Sequence, residues 1–313
     1  MPDITQEIDD VNRAYNGQSI RAAIVAALRK LNGGALPQPM EGDEGKILVV
    51  DGNGEWAIGE AGGGGGGDFD KLASRTLDDG VAESATCESI GAHAFAEYYD
   101  LVSASFPAAE SIGSRAFADC YGLANVSFPA AVSIGDYAFF YCRTLTDVFF
   151  PAAESIGSNA FGTCDKLASA SFPAAVSIGS YAFRECPKLS SISFPAAVSI
   201  GSYAFQYCAG LTAITSQSFP KVTSIGDYAF HSCGNLTSVS FPAATSIGVN
   251  AFYNCARLSS VTLASPTLCT LGSSKVFYGA SAYLRIYVPA ALVDAYKAAT
   301  YWSTYADKIY AIS

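Results

Sequence analysis

The chain has 313 residues, half of them hydrophobic and 15% charged, with a formal net charge of −10. This length holds two or three modules, and the acidic balance argues against a nucleic acid or an anionic membrane as partner. No apolar run approaches the ~18–20 residues of a membrane span. The acidic start, MPDITQEIDD, lacks the basic and apolar regions of a signal peptide.

In chain order, residues 3–31 predict two short helices. Ile4, Ile8, Val11 and Tyr15 lie one helical turn apart. After Asn16-Gly17, the residues Ile20, Ile24, Ala27 or Leu28, and Leu31 continue the seam, and Gly33-Gly34 stops it. Helices this short are marginal alone. They need either the rest of this chain or other copies of it, as in a small trimeric coiled coil.

Lys46 to Ile58, KILVVDGNGEWAI, places two apolar runs around Asp51-Gly52-Asn53-Gly54, a strong hairpin signal. Two familiar motifs are imitated here and fail. Gly52-x-Gly54-x-x-Ala57 is not followed by the helix a dinucleotide fingerprint requires. Asp51, Asn53 and Glu55 imitate a calcium loop, but Trp56 stands where that loop needs glycine. A run of six glycines, Gly62 to Gly67, follows and reads as a flexible linker with a reach of roughly 12–15 Å. The segment before that run resembles the N-terminal attachment regions of phage tail-fibre and baseplate proteins. The resemblance implies an attachment or oligomerisation module over residues 1–61.

Beyond the linker the chain repeats. Phe106, Phe128, Phe150, Phe172, Phe194, Phe219 and Phe241 are separated by 22, 22, 22, 22, 25 and 22 residues. A fixed period of about 20–29 residues marks a solenoid. In one unit, Leu123 to Cys142, the apolar positions are Leu123, Val126, Phe128, Ile134, Ala138, Phe139 and Cys142. Val126-Ser127-Phe128 reads as a short strand ended by Pro129. Gly135 follows Ile134 and recurs as Gly113, Gly157, Gly179, Gly201, Gly226 and Gly248. It serves either a positive φ or a close approach of neighbouring coils. Eight such units run from Ile90 to Phe252, and a ninth, degenerate one falls at Leu271-Gly272. A single unit cannot bury enough surface to fold, so stacking and end caps are required.

The pattern L-x-x-V-x-F-P-x-x-x-x-I-G-x-x-A-F-x-x-C resembles the leucine-rich repeat of the BspA-like (Treponema-type) surface-protein family, over about Cys87 to Pro289. The resemblance implies a β-rich, right-handed leucine-rich-repeat solenoid over residues 68–289. It also implies a binding role of the kind found in bacterial surface or secreted adhesins. It carries no ligand residue with it.

Seven cysteines, Cys120, Cys142, Cys164, Cys186, Cys208, Cys233 and Cys255, follow the period and read as a column of buried reduced thiols rather than a metal site. Cys87 and Cys269 stand outside it. Thr215-Ser216-Gln217 marks the three-residue insertion, a surface bulge that points modestly to a functional face. At the end, Tyr283 to Val288 reads as a last strand. Pro289 opens a helical cap over residues 290–313, with Leu292, Tyr296, Ala299, Trp302, Tyr305 and Ile309 on one stripe.

No enzyme constellation emerges, and no cofactor or metal is called for. The two histidines, His93 and His231, occupy non-equivalent repeat positions, and no G-x-S-x-G occurs. The informative feature is variation on a constant scaffold. Two places before each bend phenylalanine stand Arg115, Tyr137, Asn159, Tyr181, Tyr203, Tyr228 and Asn250. After it come Phe140-Tyr141, Arg184-Glu185, Gln206-Tyr207, His231-Ser232 and Tyr253-Asn254. A tyrosine ladder with interleaved Arg and Asn could stack on sugar rings and bond their hydroxyls, or serve only to shield the core edge. The strand face adds Ser127, Ser171, Ser193, Thr212, Thr237, Ser238, Ser240 and Thr262 as a hydroxyl array.

Together these features predict a non-enzymatic binding protein for a bacterial or host cell-surface glycan or protein. The leading form is a phage or prophage tail-associated receptor-binding protein, located on the virion. The alternatives are a BspA-like adhesin at the cell surface and an intracellular interaction scaffold.

Overall fold

The structure is a computed structural model that describes residues 48–50, 56–58 and 80–312. The predicted helices of residues 3–31, the turn at 51–55, the glycine run and residues 68–79 lie outside the described residues. The chain divides into two units, Met1–Glu60 and Ala61–Ser313.

In the first unit, strands Leu48–Val50 and Trp56–Ile58 pair antiparallel, with Leu48 opposite Ile58 and Val50 opposite Trp56. These are the two apolar runs of the predicted hairpin.

The second unit is a parallel β-solenoid. Each coil contributes a two-residue strand such as Ser133–Ile134 and, in most coils, a three-residue strand such as Asn125–Ser127. The short strands form one uninterrupted nine-stranded sheet from Ser89–Ile90 to Thr270–Leu271. Its register sets Ile on Ile, as with Ile134, Ile156 and Ile178. The last rung confirms the ninth repeat. The longer strands fall into three sheets. One break lies between Ser191–Ser193 and Ala213–Ile214, at the coil carrying the insertion. There Gln217 N–H bonds the Thr215 hydroxyl at 3.3 Å, and Phe194 N–H reaches Ser218 O at 3.0 Å. The other break precedes Asp147–Phe149, where Asp and Phe stand in place of the small polar residues of the preceding strand.

The core is a set of residue columns stacked along the axis. Phe106, Phe128, Phe150, Phe172 and Phe194 are fully or almost fully buried, as are the bend phenylalanines Phe117, Phe139, Phe161, Phe183 and Phe205. Within each column the rings stack in parallel, for example Phe161 on Phe183 at 5.3 Å and 5°. Between the columns they meet edge to face, as Phe172 does Phe183 at 5.9 Å and 67°. Both arrangements suit the aromatic quadrupole.

The repeated glycine resolves to close approach rather than positive φ. A Cβ on Gly201 would stand 2.6 Å from the carbonyl carbon of Gly179, and one on Gly157 would stand 2.5 Å from that of Gly135. Backbone touches backbone there, so no side chain fits.

The C-terminal segment departs from its predicted form. Arg285–Val288 is a strand but not the last one, because Ile309–Ala311 pairs parallel beside it. The stripe is not one helix. A short 3-10 turn (Ala290–Leu292) leads into an α-helix (Val293–Ala298). That helix stops at Ala299, whose ψ of 154° is extended, and Tyr301 at φ 64° turns the chain into a second 3-10 segment (Trp302–Lys308). Tyr296, Trp302, Tyr305 and Ile309 are buried as the stripe requires, while Leu292 and Ala299 are only partly buried. The break lets three large aromatics point at one coil end. Trp302 Nε1–H donates to Cys269 O at 2.6 Å, and Tyr296 OH accepts from Cys269 N–H at 2.9 Å. No helix of the described residues is long and apolar enough to cross a membrane.

Candidate recognition face

Each coil turns through a bend built around the Ala-Phe pair, and that bend places the variable residues. The residue two before the bend phenylalanine and the residue two after it both adopt left-handed backbone. The first position holds Arg115 (φ 55°), Tyr137 (59°), Asn159 (55°), Tyr181 (61°), Tyr203 (61°), Tyr228 (56°) and Asn250 (55°). The second holds Tyr141 (60°), Glu185 (57°), Tyr207 (62°), Ser232 (59°) and Asn254 (56°). Left-handed backbone costs a residue with a Cβ roughly 1–2 kcal/mol, and Asn tolerates it better than most. Asn250 aside, the N–H of each of these residues bonds forward to the next coil, as with Tyr203 N to Asp227 O at 2.8 Å and Tyr207 N to His231 O at 3.0 Å. The bends thus form a third hydrogen-bonded side of the solenoid, with side chains splayed outward.

The first column is a ladder. Tyr181 stacks on Tyr203 at 4.7 Å and 3°, and Tyr203 on Tyr228 at 4.8 Å and 1°. Asn250 Nδ2 donates to Tyr228 OH at 3.0 Å. At the other end the Arg115 guanidinium lies 4.7 Å over the Tyr137 ring. Asn159 separates the two runs. Tyr203 has a ring against each face, so it offers its edge and hydroxyl outward. Burial against its neighbours, then the nearby phenols, raises that hydroxyl above the usual tyrosine range.

The second and intervening columns form three clusters. Tyr137, Phe140 and Tyr141 meet edge to face. Arg184 pairs with Glu185 at 2.6 Å and reaches over Tyr181, with its Nε buried and unbonded. His231 stacks on Tyr253 at 5.4 Å and meets the edge of Tyr207, while Gln206 Nε2 lies 3.4 Å from its Nδ1. Burial lowers the His231 pKa. All twelve singled-out residues, Arg115, Tyr137, Tyr141, Asn159, Tyr181, Arg184, Tyr203, Tyr207, Tyr228, His231, Asn250 and Tyr253, therefore lie on one side of the solenoid. Arg115 and Tyr207 are exposed, and the others are half-buried in their mutual contacts.

A further ladder lies four residues after the bend phenylalanine and went unread in the sequence. Tyr99 stacks on Tyr121 at 5.1 Å, Arg143 lies over Tyr121 and Tyr141, and Arg143 pairs with Asp165 at 3.8 Å. The signal was available, because Tyr99, Tyr121, Arg143 and Asp165 obey the same 22-residue step.

The seven column cysteines are buried as free thiols. Each of the seven donates to a carbonyl of the coil before, as Cys142 Sγ does to Phe117 O at 3.2 Å. Among the described residues no His, Cys, Asp or Glu group could hold a metal.

The sequence matches the family described as the BspA type leucine rich repeat region, in six copies, over residues 88–212 and 198–304. Among solved structures, the chain is similar to a leucine-rich cell surface protein of Faecalibacterium prausnitzii. That likeness has 22% identity and a TM-score of 0.50, covering 81% of this chain and 77% of that one. It is also similar to the leucine-rich repeat protein of T. pallidum, at 26% identity and a TM-score of 0.41, covering 57% of this chain and 76% of that one. No curated protein matches the sequence.

Proposed function

Because the chain belongs to the BspA-type leucine-rich-repeat family, we propose that it is a non-enzymatic binding protein. In this reading it recognises a cell-surface protein or glycan through the bend face of its solenoid. The observation that carries this reading is the concentration of varied side chains at the left-handed positions of an otherwise constant coil. Those side chains are chiefly Tyr and Asn, with the acids Glu97, Asp119 and Glu185 and single Arg, Ser, Thr and His residues among them. Tyrosine presents a large amphipathic surface at low conformational cost, and Ser and Asn adapt their hydrogen bonds. Stacking fixes the rotamers before a partner arrives, so little entropy is lost on binding. Members of the family are typically at the cell surface or secreted. The Faecalibacterium prausnitzii protein is itself a cell surface protein, and we place this chain in the same setting.

The test is binding of the labelled full chain to bacterial and animal cells, before and after protease and glycosidase treatment. Saturable binding that one treatment abolishes supports the reading and sorts protein from glycan. Absence of saturable binding to every cell type overturns it.

Attachment to a phage tail is the finer form of this proposal. It draws on the hairpin of Leu48–Val50 and Trp56–Ile58 standing before the glycine run. The solution mass of the full chain beside residues 68–313 tests it. A trimeric full chain with a monomeric remainder supports attachment, and two monomers count against it.

A further inference from the structure

The aromatic columns end differently from the core columns at the C-terminal end of the solenoid. The last bend phenylalanine, Phe277, stacks on Phe252 at 5.6 Å and is covered from outside by Trp302 and Tyr305, which leaves it 3% exposed. Its neighbour Tyr278 continues the outer column, stacking on Tyr253 at 5.1 Å and 22°. The cap does not cover it, and Tyr278 is 57% exposed. With one face on Tyr253, that exposure belongs mainly to its other face and edge. The cap thus seals the core and leaves the adjoining column open at its last ring.

Two features frame the open ring. The next residue, Gly279, holds φ +76° at the position where other coils carry Tyr141, Glu185 or Tyr207, so no side chain overhangs the ring there. A Cβ on Gly279 would stand 2.5 Å from Asn254 Oδ1, so the carboxamide of the exposed Asn254 reaches the residue next to Tyr278. Backbone bonds hold the loop, with Asn254 N donating to Tyr278 O at 2.8 Å and Tyr278 N to Lys275 O at 3.1 Å.

We propose that Tyr278 and Asn254 form a saccharide subsite, in which the open Tyr278 face takes the apolar face of a neutral hexopyranose and the Asn254 carboxamide bonds its equatorial hydroxyls. A pyranose carries C–H groups on its faces and hydroxyls around its rim, and the subsite offers an aromatic face with an amide at its edge. A cationic ligand would find no carboxylate among the bend residues of the last two coils, and it would meet Lys275. The inference rests on the bend face being the recognition face and names the ligand class of one end of it.

The experiment is saturation-transfer NMR on the full chain with the methyl glycosides of glucose, galactose, mannose and N-acetylglucosamine. At least one should receive saturation on its ring C–H protons. Tyr278→Ala should abolish that transfer, Tyr278→Phe should keep it, and Asn254→Ala should weaken binding several-fold. Both positions are exposed, and far-ultraviolet circular dichroism reports whether each variant folds. No transfer to any of the four sugars overturns the subsite, as does transfer that is unchanged in Tyr278→Ala. If either occurs while the chain still binds cells, the subsite falls and the wider recognition face stands. If cell binding is absent as well, both fall.

Discussion

The ring of Tyr203 lies parallel to that of Tyr228 within 1°, at 4.8 Å, while both residues hold φ near 60°. Backbone strain and side-chain stacking therefore meet at the same residues. The positions least comfortable for the chain are those that carry the outward-facing ladder.

This coincidence reverses an ordinary preference. Tyr203→Ala removes two stacked contacts, each worth about 0.5–1.5 kcal/mol beyond area burial, and keeps a Cβ at left-handed φ. Tyr203→Gly removes the same contacts but relieves the backbone by roughly 1 kcal/mol. In urea unfolding, the Gly variant is expected to be the more stable of the two. An Ala variant equal to or above the Gly variant would show that the left-handed bend carries no strain.

The glycine columns give a graded expectation. Gly201→Ala sets a methyl 2.6 Å from the Gly179 carbonyl carbon and 2.7 Å from Ile178 O. Neither is a flexible side-chain end, so the coils must separate, at a cost of at least ~2–3 kcal/mol. Gly234→Ala meets nothing within 4 Å and should lie within about 0.5 kcal/mol of wild type. Thermal melts of the two variants side by side check the contrast.

The thiol column predicts a specific response to alkali. Burial pushes Cys120 and Cys255 up to about 12, and it raises Cys142, Cys164, Cys208 and Cys233 well above the ordinary thiol range. An unfolded cysteine titrates near ~8.5. Above that pH the folded chain holds protons that the unfolded chain has lost, so stability falls as pH rises. Each such thiol contributes a slope of up to about 1.4 kcal/mol per pH unit. Urea midpoints should be level below about pH 8 and decline to pH 9.5, with a shallower decline in Cys120→Ala/Cys255→Ala. Midpoints that stay level throughout would contradict the assignment.

At the cap, Tyr305 OH accepts from Phe277 N–H at 3.1 Å and donates to Ser274 O at 2.7 Å. Tyr305→Phe strips both backbone groups of their partner, a loss of about 1–3 kcal/mol. Hydrogen exchange should localise the effect to the last coil, with faster exchange at Phe277 and little change near Phe117. Uniform acceleration along the solenoid would mean that the coils do not behave as near-neighbour units.

Much of the architecture was legible because a solenoid writes its period into the sequence. The phenylalanine spacing gave the coil, Ile134 and its equivalents gave the continuous sheet, and the cysteine column was read as buried and reduced. What could not be read was local backbone. Left-handed φ is usually signalled by glycine, yet the repeated glycines here mark backbone contact, while Arg, Tyr and Asn hold most left-handed positions of the bends. The cap stripe marked four buried residues correctly. Its helical spacing could not reveal the break at Ala299 and Tyr301, which is set by the need to aim Tyr296, Trp302 and Tyr305 at one coil end. The candidate contact residues stand out by their variation at fixed register. Tyr99 and Tyr121 lie four residues past the bend phenylalanine, outside the flanking columns, and Tyr278 follows Phe277 in the degenerate last unit, where Leu271 replaces the usual Ile.

The central claim is that the bend face, rather than the sheet faces, does the recognising. The most direct measurement compares cell-surface binding of two triple variants of the full chain by flow cytometry. One is Tyr137→Ser/Tyr181→Ser/Tyr228→Ser on the bend face, and the other is Val132→Ser/Val176→Ser/Val198→Ser beside the short strands. The account predicts at least a tenfold loss of affinity for the first, about 1.4 kcal/mol or more, and wild-type binding for the second. Wild-type binding by the bend-face variant, or an equal loss in both, would contradict it.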